Sequence, residues 1–214
     1  MCDQSKIIND DERDILQEVM NIAFGKASAD LAELIDIYVV LSIPDITLLN
    51  TVDVPQYIEE EIKDFERVTV IKQNYRGKFH GSALLFFPGG AGKQLFSLFE
   101  NGENPVTDLD DLSVVLEKET LLEVGNILIG ASVSKVAELL DDEITFRPPQ
   151  ILIDSNPDDI VDWDLAEPEC PAILMRTVFG FDKRDISGFL FLIPSYNSLE
   201  WLKKALNSFL EQYI

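Results

Sequence analysis

The chain has 214 residues, 46% of them apolar, and its 39 Asp+Glu against 17 Lys+Arg give a formal charge of −22. That apolar share is too high for a disordered chain, and at this length it can build a core without staples. The charge argues against nucleic acid and anionic membranes as partners, since both require clustered Lys and Arg, while it suits a partner with a basic docking face.

In chain order, no uninterrupted apolar run approaches the ~18–20 residues of a membrane helix. The start, Met1 to Lys6 followed by Asn9-Asp10-Asp11-Glu12, offers no apolar stretch for a signal peptide. A soluble, cytoplasmic, monomeric protein is expected. Ile15, Val19, Ile22, Leu31 and Leu34 fall near helical spacing and predict a helix over about 10–35. β-favouring sequence follows at Tyr38-Val39-Val40-Leu41 and at 46–49. The Pro-rich, acidic stretch 55–64 reads as a connecting loop. A hairpin is expected from 68–73 and 79–87 around the turn-prone Asn74-Tyr75-Arg76-Gly77, then a helix over about 90–100.

The second half has the same order. A helix is predicted over about 108–140 through Leu116, Leu122, Leu128, Val136 and Leu139, then strands at 144–146 and 151–153. After the acidic loop 154–169 come a hairpin from 173–179 and 186–193, turning at Gly180-Phe181-Asp182-Lys183, and a closing helix over about 197–212.

The two halves are one unit written twice. Residues 14–44 and 119–149 align without a gap, a step of 105, with 11 identities in 31 positions, too many for accident. They include Glu18/Glu123, Asn21/Asn126, Gly25/Gly130 and Pro44/Pro149. Looser similarity links 81–88 to 187–194 when Pro88 is set on Pro194, a step of 106. The expected fold is α/β (α+β), internally duplicated about a pseudo-twofold axis. A central, largely antiparallel sheet carries two long helices, as a single domain 1–214 of two repeats, about 1–105 and 106–214.

On a helix, positions i, i+4 and i+7 lie within about 60° of one another. Asp14, Glu18 and Asn21 therefore form a line about 10 Å long, and so do Glu119, Glu123 and Asn126. One Glu-x-x-Asn is an ordinary solvated helix face. Stability gives no reason to keep an Asn, an indifferent helix former, at the same place twice. Gly25 and Gly130 each cost about 1 kcal/mol relative to Ala, which predicts a compensating close approach by another helix or strand.

These residues resemble the signature of the CheC/CheX/FliY family of chemotaxis phosphatases: Asp or Ser, three residues, Glu, two residues, Asn, twenty-two residues, Pro. The first copy matches at Asp14, Glu18, Asn21 and Pro44; the second matches at Glu123, Asn126 and Pro149 and carries Glu119 where the family has Asp or Ser. Two copies in a chain of this length look like the CheC branch. The resemblance implies a CheC-like fold, hydrolysis of the aspartyl phosphate of a CheY-type response regulator and, for some members, binding of the receptor deamidase CheD. It implies that Glu18 and Glu123 pair with the regulator's active-site lysine, that Asp14 and Glu119 support them, and that Mg²⁺ belongs to the regulator, with no cofactor or metal of this chain's own. Met20 and Phe24 are bulkier than the residues often found around the first Asn, which would narrow access there and leave the second site dominant.

The residue types fit that chemistry. An acyl phosphate is already activated, so a catalyst mainly aligns water and tolerates spreading charge. The carboxamides of Asn21 and Asn126 can orient water while remaining uncharged. The rival expectations are a non-catalytic protein that binds the regulator or CheD, and an oligomeric structural adaptor.

Other signals are weaker. Gly89-Gly90-Ala91-Gly92-Lys93 lacks the phosphate-loop spacing and reads as a turn into a helix. The acidic run from Asp154 lacks the Gly and Glu of a calcium loop. His80 stands alone, which disfavours zinc or a hydrolase triad. With only Cys2 and Cys170 present, a disulfide framework is not expected, and Cys170 reads as a small buried or half-buried thiol.

Overall fold

A computed structural model describes residues 8–35, 38–99, 110–153, 160, 170–181 and 186–213. Helix α1 spans Asp10–Ile35. It starts where Asn9 and Glu12 cap it reciprocally. The Asn9 Oδ1 accepts from the Glu12 backbone N–H at 2.8 Å, and the Glu12 carboxylate accepts from the Asn9 N–H at 2.9 Å, two orphan donors satisfied at once. Glu12 is itself buried and lies 3.4 Å from the Lys203 ammonium of the last helix, α5 (Leu199–Tyr213). Leu16, Val19, Met20, Ala23, Phe24 and Ala27 form the buried face of α1.

Helix α4 (Asp110–Leu139) is the equivalent element of the second half. By hydropathy and length its stretch Val114–Leu139 could cross a membrane, yet half of that window is buried inside this fold. The helix stops in a paired C-terminal turn: Asp142 N–H donates to Ala137 O at 2.9 Å and Asp141 N–H to Glu138 O at 3.3 Å. Asp141 takes the left-handed conformation, φ 57°, that such an ending requires. The Asp142 carboxylate then accepts from Phe79 N–H at 2.7 Å, tying the helix end to the first hairpin.

Among the described residues eight strands form one sheet in which every pair is antiparallel: β1 (Val39–Leu41), β2 (Asp45–Asn50), β3 (Val68–Arg76), β4 (Gly81–Pro88), β5 (Thr145–Phe146), β6 (Gln150–Ile153), β7 (Pro171–Phe181) and β8 (Ser187–Pro194). The order is β1-β7-β8-β4-β3-β5, with β2 further along β7 and β6 further along β3. Strands that follow α1 thus pair with the hairpin of the second half, and strands that follow α4 pair with the hairpin of the first. Each half leaves an open sheet edge that the other covers.

At the centre, β4 meets β8 from Gly81↔Pro194 to Phe86↔Phe189. A Cβ on Gly81 would run into the Ile193 carbonyl oxygen, and one on Gly188 into that of Phe86. The two glycines are therefore equivalent, and the repeat steps by 107 here. This corrects the step of 106 obtained by aligning Pro88 with Pro194, because backbone clearance, and not the proline, sets the register.

Ile71, Tyr75, Ala83, Leu85, Met175, Leu190 and Leu192 join the core beneath α1 and α4, while Val70, Leu84, Phe86, Leu174 and Phe191 point to the other side. That other side is covered by Val54 and Ile58 of α2 (Val54–Ile62) and by Ile160. Burial on both faces explains why β4 reads as an unbroken apolar run. Where α1 and α4 pack, the equivalent positions Asp30 and Lys135 form an ion pair of 3.1 Å. The Lys135 ammonium donates hydrogen bonds to Asp30 and then Glu138, which raise its pKa above the ordinary lysine value.

Helix α3 (Ala91–Phe99) begins just after Gly90, φ 84°, as the glycine-rich turn predicted. Three expectations are corrected. Residues 55–64 are mostly helical: Pro55 suits a first helical turn, and Val54, Pro55 and Ile58 supply a buried face. Residues 74–76 are strand, because Tyr75 and Arg76 find partners in Phe146 and Thr145. The reversal moves to Gly77, where a Cβ would meet the Asp142 carboxylate at 2.7 Å and Glu143 O at 2.8 Å. Finally, Cys170 is buried, and it is disulfide-bonded and not a free thiol. Cys2, residues 182–185 of the second turn, and all of the acidic loop 154–169 except Ile160 lie outside the described residues.

The capping pair yields a prediction. Glu12→Ala lowers the stability measured by urea unfolding by about 1–2 kcal/mol, whereas Glu12→Gln, which keeps an acceptor for Asn9 N–H, loses less.

Candidate functional site

Asp14, Glu18 and Asn21 are all exposed on α1, and Glu119, Glu123 and Asn126 are all exposed on α4. The residues between them, Leu16 and Val19 on one helix, Leu121 and Val124 on the other, are buried. The local cause is amphipathic periodicity: core-facing side chains fix each helix's rotation and leave the polar line outward. Among the described residues Glu18 and Glu123 have no cationic partner. Both stripes are ridges. The concave regions lined by Arg67, Gly89 and Leu121, and by Lys78, Leu140 and Trp201, contain none of the six residues. No group of three or more His, Cys, Asp or Glu that could hold a metal occurs among the described residues.

Two expectations about the surroundings are overturned. Met20 and Phe24 are buried in the core, 0% and 2% exposed. Rotated by about 60–100° from Asn21, they fill space under the helix and do not narrow access to it. Gly25 and Gly130 make no close approach: a Cβ on either meets nothing within 4 Å. The packing glycine is Gly125, where a Cβ would lie 2.9 Å from the Ile71 side chain; its counterpart in the repeat is Met20.

The two copies differ in what holds the connection that follows each long helix. At the first, the Gln17 side-chain N–H donates to the Pro44 carbonyl at 2.7 Å, holding the β1–β2 connection against α1. The second site has Leu122 at that position and is held differently. Gln73 of β3, 2% exposed, donates through Nε2 to Asn126 Oδ1 at 2.8 Å and to the Arg147 carbonyl at 3.0 Å. Among the described residues no side chain holds Asn21 in this way. Gln73 escaped sequence reasoning because it comes from the other half of the repeat. Its one signal was a polar residue at an inward-facing strand position, between Ile71 and Tyr75.

Because Gly25 and Gly130 lack neighbours, Gly25→Ala and Gly130→Ala should each raise stability by about 0.5–1 kcal/mol in urea unfolding. Gly125→Ala should lower it.

No protein-family model matches the chain. A Bacillus subtilis (strain 168) protein, "CheY-P phosphatase CheC", is 27% identical over 212 residues, covering 94% of this chain and 96% of that one. Among solved structures, Thermotoga maritima FliY superposes with a TM-score of 0.65 at 18% identity, over 94% of this chain and 98% of that one. The match from the H. pylori FliM–SpeE complex has a TM-score of 0.60 at 8% identity, over 94% and 97%. The chain resembles CheC along nearly its whole length and has the fold of the CheC/CheX/FliY family.

Proposed function

We propose that the chain is an aspartyl-phosphate phosphatase of a phosphorylated CheY-type response regulator, with one site on each long helix. One observation carries this reading: two outward lines of unpartnered carboxylates and a carboxamide, duplicated on ridges, in a chain similar to a CheY-P phosphatase. A ridge cannot enclose a small substrate, but it can enter the active site of a protein that carries the phosphoryl group.

In the proposed reaction Asn21 or Asn126 orients a water behind the phosphorus. The water oxygen bonds to phosphorus as the bond to the acyl oxygen breaks. The regulator's aspartate leaves as a carboxylate, and the water's protons stay on phosphate or pass to solvent. A carboxamide cannot take the proton as a general base, so its contribution is alignment, which is the main requirement for an activated phosphoryl group. Glu18 and Glu123 meet the regulator's active-site lysine and set the depth of docking, with Asp14 and Glu119 supporting that contact. The Mg²⁺ of the reaction is assigned to the regulator.

A binding role without turnover is the second reading, favoured by the fold shared with FliM. Loss of phosphate from the phosphorylated regulator separates the two. The wild-type chain accelerates that loss, and the Asn21→Ala, Asn126→Ala double variant reduces the acceleration by about 100-fold. Undiminished acceleration in the double variant refutes the assignment of the two Asn residues, and binding without any acceleration by the wild type favours the second reading.

A further inference from the structure

We infer that Gln73 is a positioning residue for Asn126 and makes the second site the more competent of the two; this rests on the phosphatase reading above. A carboxamide on an exposed helix face is poorly defined about its terminal torsion, which has broad, roughly two-fold wells. Its oxygen and its NH₂ then exchange places, and only one arrangement aims the oxygen at a water. A donor fixed from below removes that ambiguity. Gln73 Nε2 lies 2.8 Å from Asn126 Oδ1, and its second bond, 3.0 Å to Arg147 O, fixes Gln73 in turn. An amide oxygen has two lone pairs, so one remains for water.

Gln73 is a costly way to fill this place in the core. It is 2% exposed, and its Oε1 accepts no hydrogen bond although it is buried. An apolar side chain of the same length would avoid that unpaired oxygen. Its carboxamide is therefore better explained by what it holds than by what it stabilises.

Among the described residues the first site has no such device. The equivalent of Arg147, one repeat step of 105 earlier, is Ser42, and the side chain that donates to the Ser42 carbonyl is Thr177, at 2.6 Å. The backbone repeats the equivalence: Arg147 N–H donates to Asn74 O, and Ser42 N–H to Val178 O. Thr177 thus stands in β7 where Gln73 stands in β3. It makes the same bond to the carbonyl, but its short side chain makes no bond to Asn21. Asn21 is aligned only after docking, on the way to the transition state, whereas Asn126 is aligned beforehand, which is a difference in turnover and not in affinity.

The test isolates the second site with Asn21→Ala and then adds Gln73→Met. Expected is a fall in kcat of between about 10- and 100-fold, with KM for the phosphorylated regulator unchanged and no drop in Tm. The Asn126 side-chain amide resonances should shift in NMR spectra of the free protein. In the Asn126→Ala background, Thr177→Gln should raise kcat at the first site. An unchanged kcat in the Asn21→Ala, Gln73→Met variant overturns the inference, as does a fall confined to KM. If instead the Asn21→Ala, Asn126→Ala pair keeps full activity, it is the phosphatase assignment that fails, and the two failures are told apart in the same assay.

Discussion

The structure depends on the exchange of edge strands between the two halves. Backbone N–H and C=O groups along a strand edge require partners, and neither hairpin finds its outer partner within its own repeat. β3 takes β5 and β6 from the second half, and β7 takes β1 and β2 from the first. The sheet therefore closes only when both halves are in place, with β4 and β8 pressed together through Gly81 and Gly188. On that sheet α1 and α4 lie side by side, and their core-facing residues turn both polar lines outward.

This exchange also builds each site from two halves. The helix and its proline come from one repeat, while the strand beneath comes from the other. Mutations in one copy of the unit thus alter the site on the other copy, and the two sites can diverge without either helix changing. Gln73 and Thr177 show the result at equivalent places. Asp30 and Lys135, at equivalent positions of opposite charge, form an ion pair between the two long helices. The surroundings diverge too: Tyr38, Val40 and Ile43 expose apolar surface beside the first connection, where the second has Glu143, Thr145 and Pro148.

A convex site places its own demands. Its groups are hydrated in the free chain, so carboxylates such as Glu18 and Glu123, which have no cationic partner among the described residues, carry little penalty. On the proposed function much of the chemistry is supplied by the partner, which agrees with polar lines that contain an amide and carboxylates but no Ser, Cys or His. Exposed Gly25 and half-buried Gly130 extend the same surfaces without side chains of their own.

A good deal of this was legible in the sequence. The period of the apolar residues fixed both long helices to within a few residues, since helical spacing is a local property of the chain. The duplication, and the polar lines at i, i+4 and i+7, could be read for the same reason, and so could the antiparallel hairpins. What could not be read was whatever depends on which parts of the chain meet. Residues 55–64 looked like a loop until the sheet offered Val54 and Ile58 a surface to cover. Met20 and Phe24 looked like obstacles because helix rotation relative to the core is a tertiary property. Gly25 looked like a packing residue, whereas Gly125 is one, because clearance depends on Ile71 in a strand far along the chain. Gln73 and Asn126 meet only because strands are exchanged between the repeats, and a pairing between distant segments leaves no mark on local spacing.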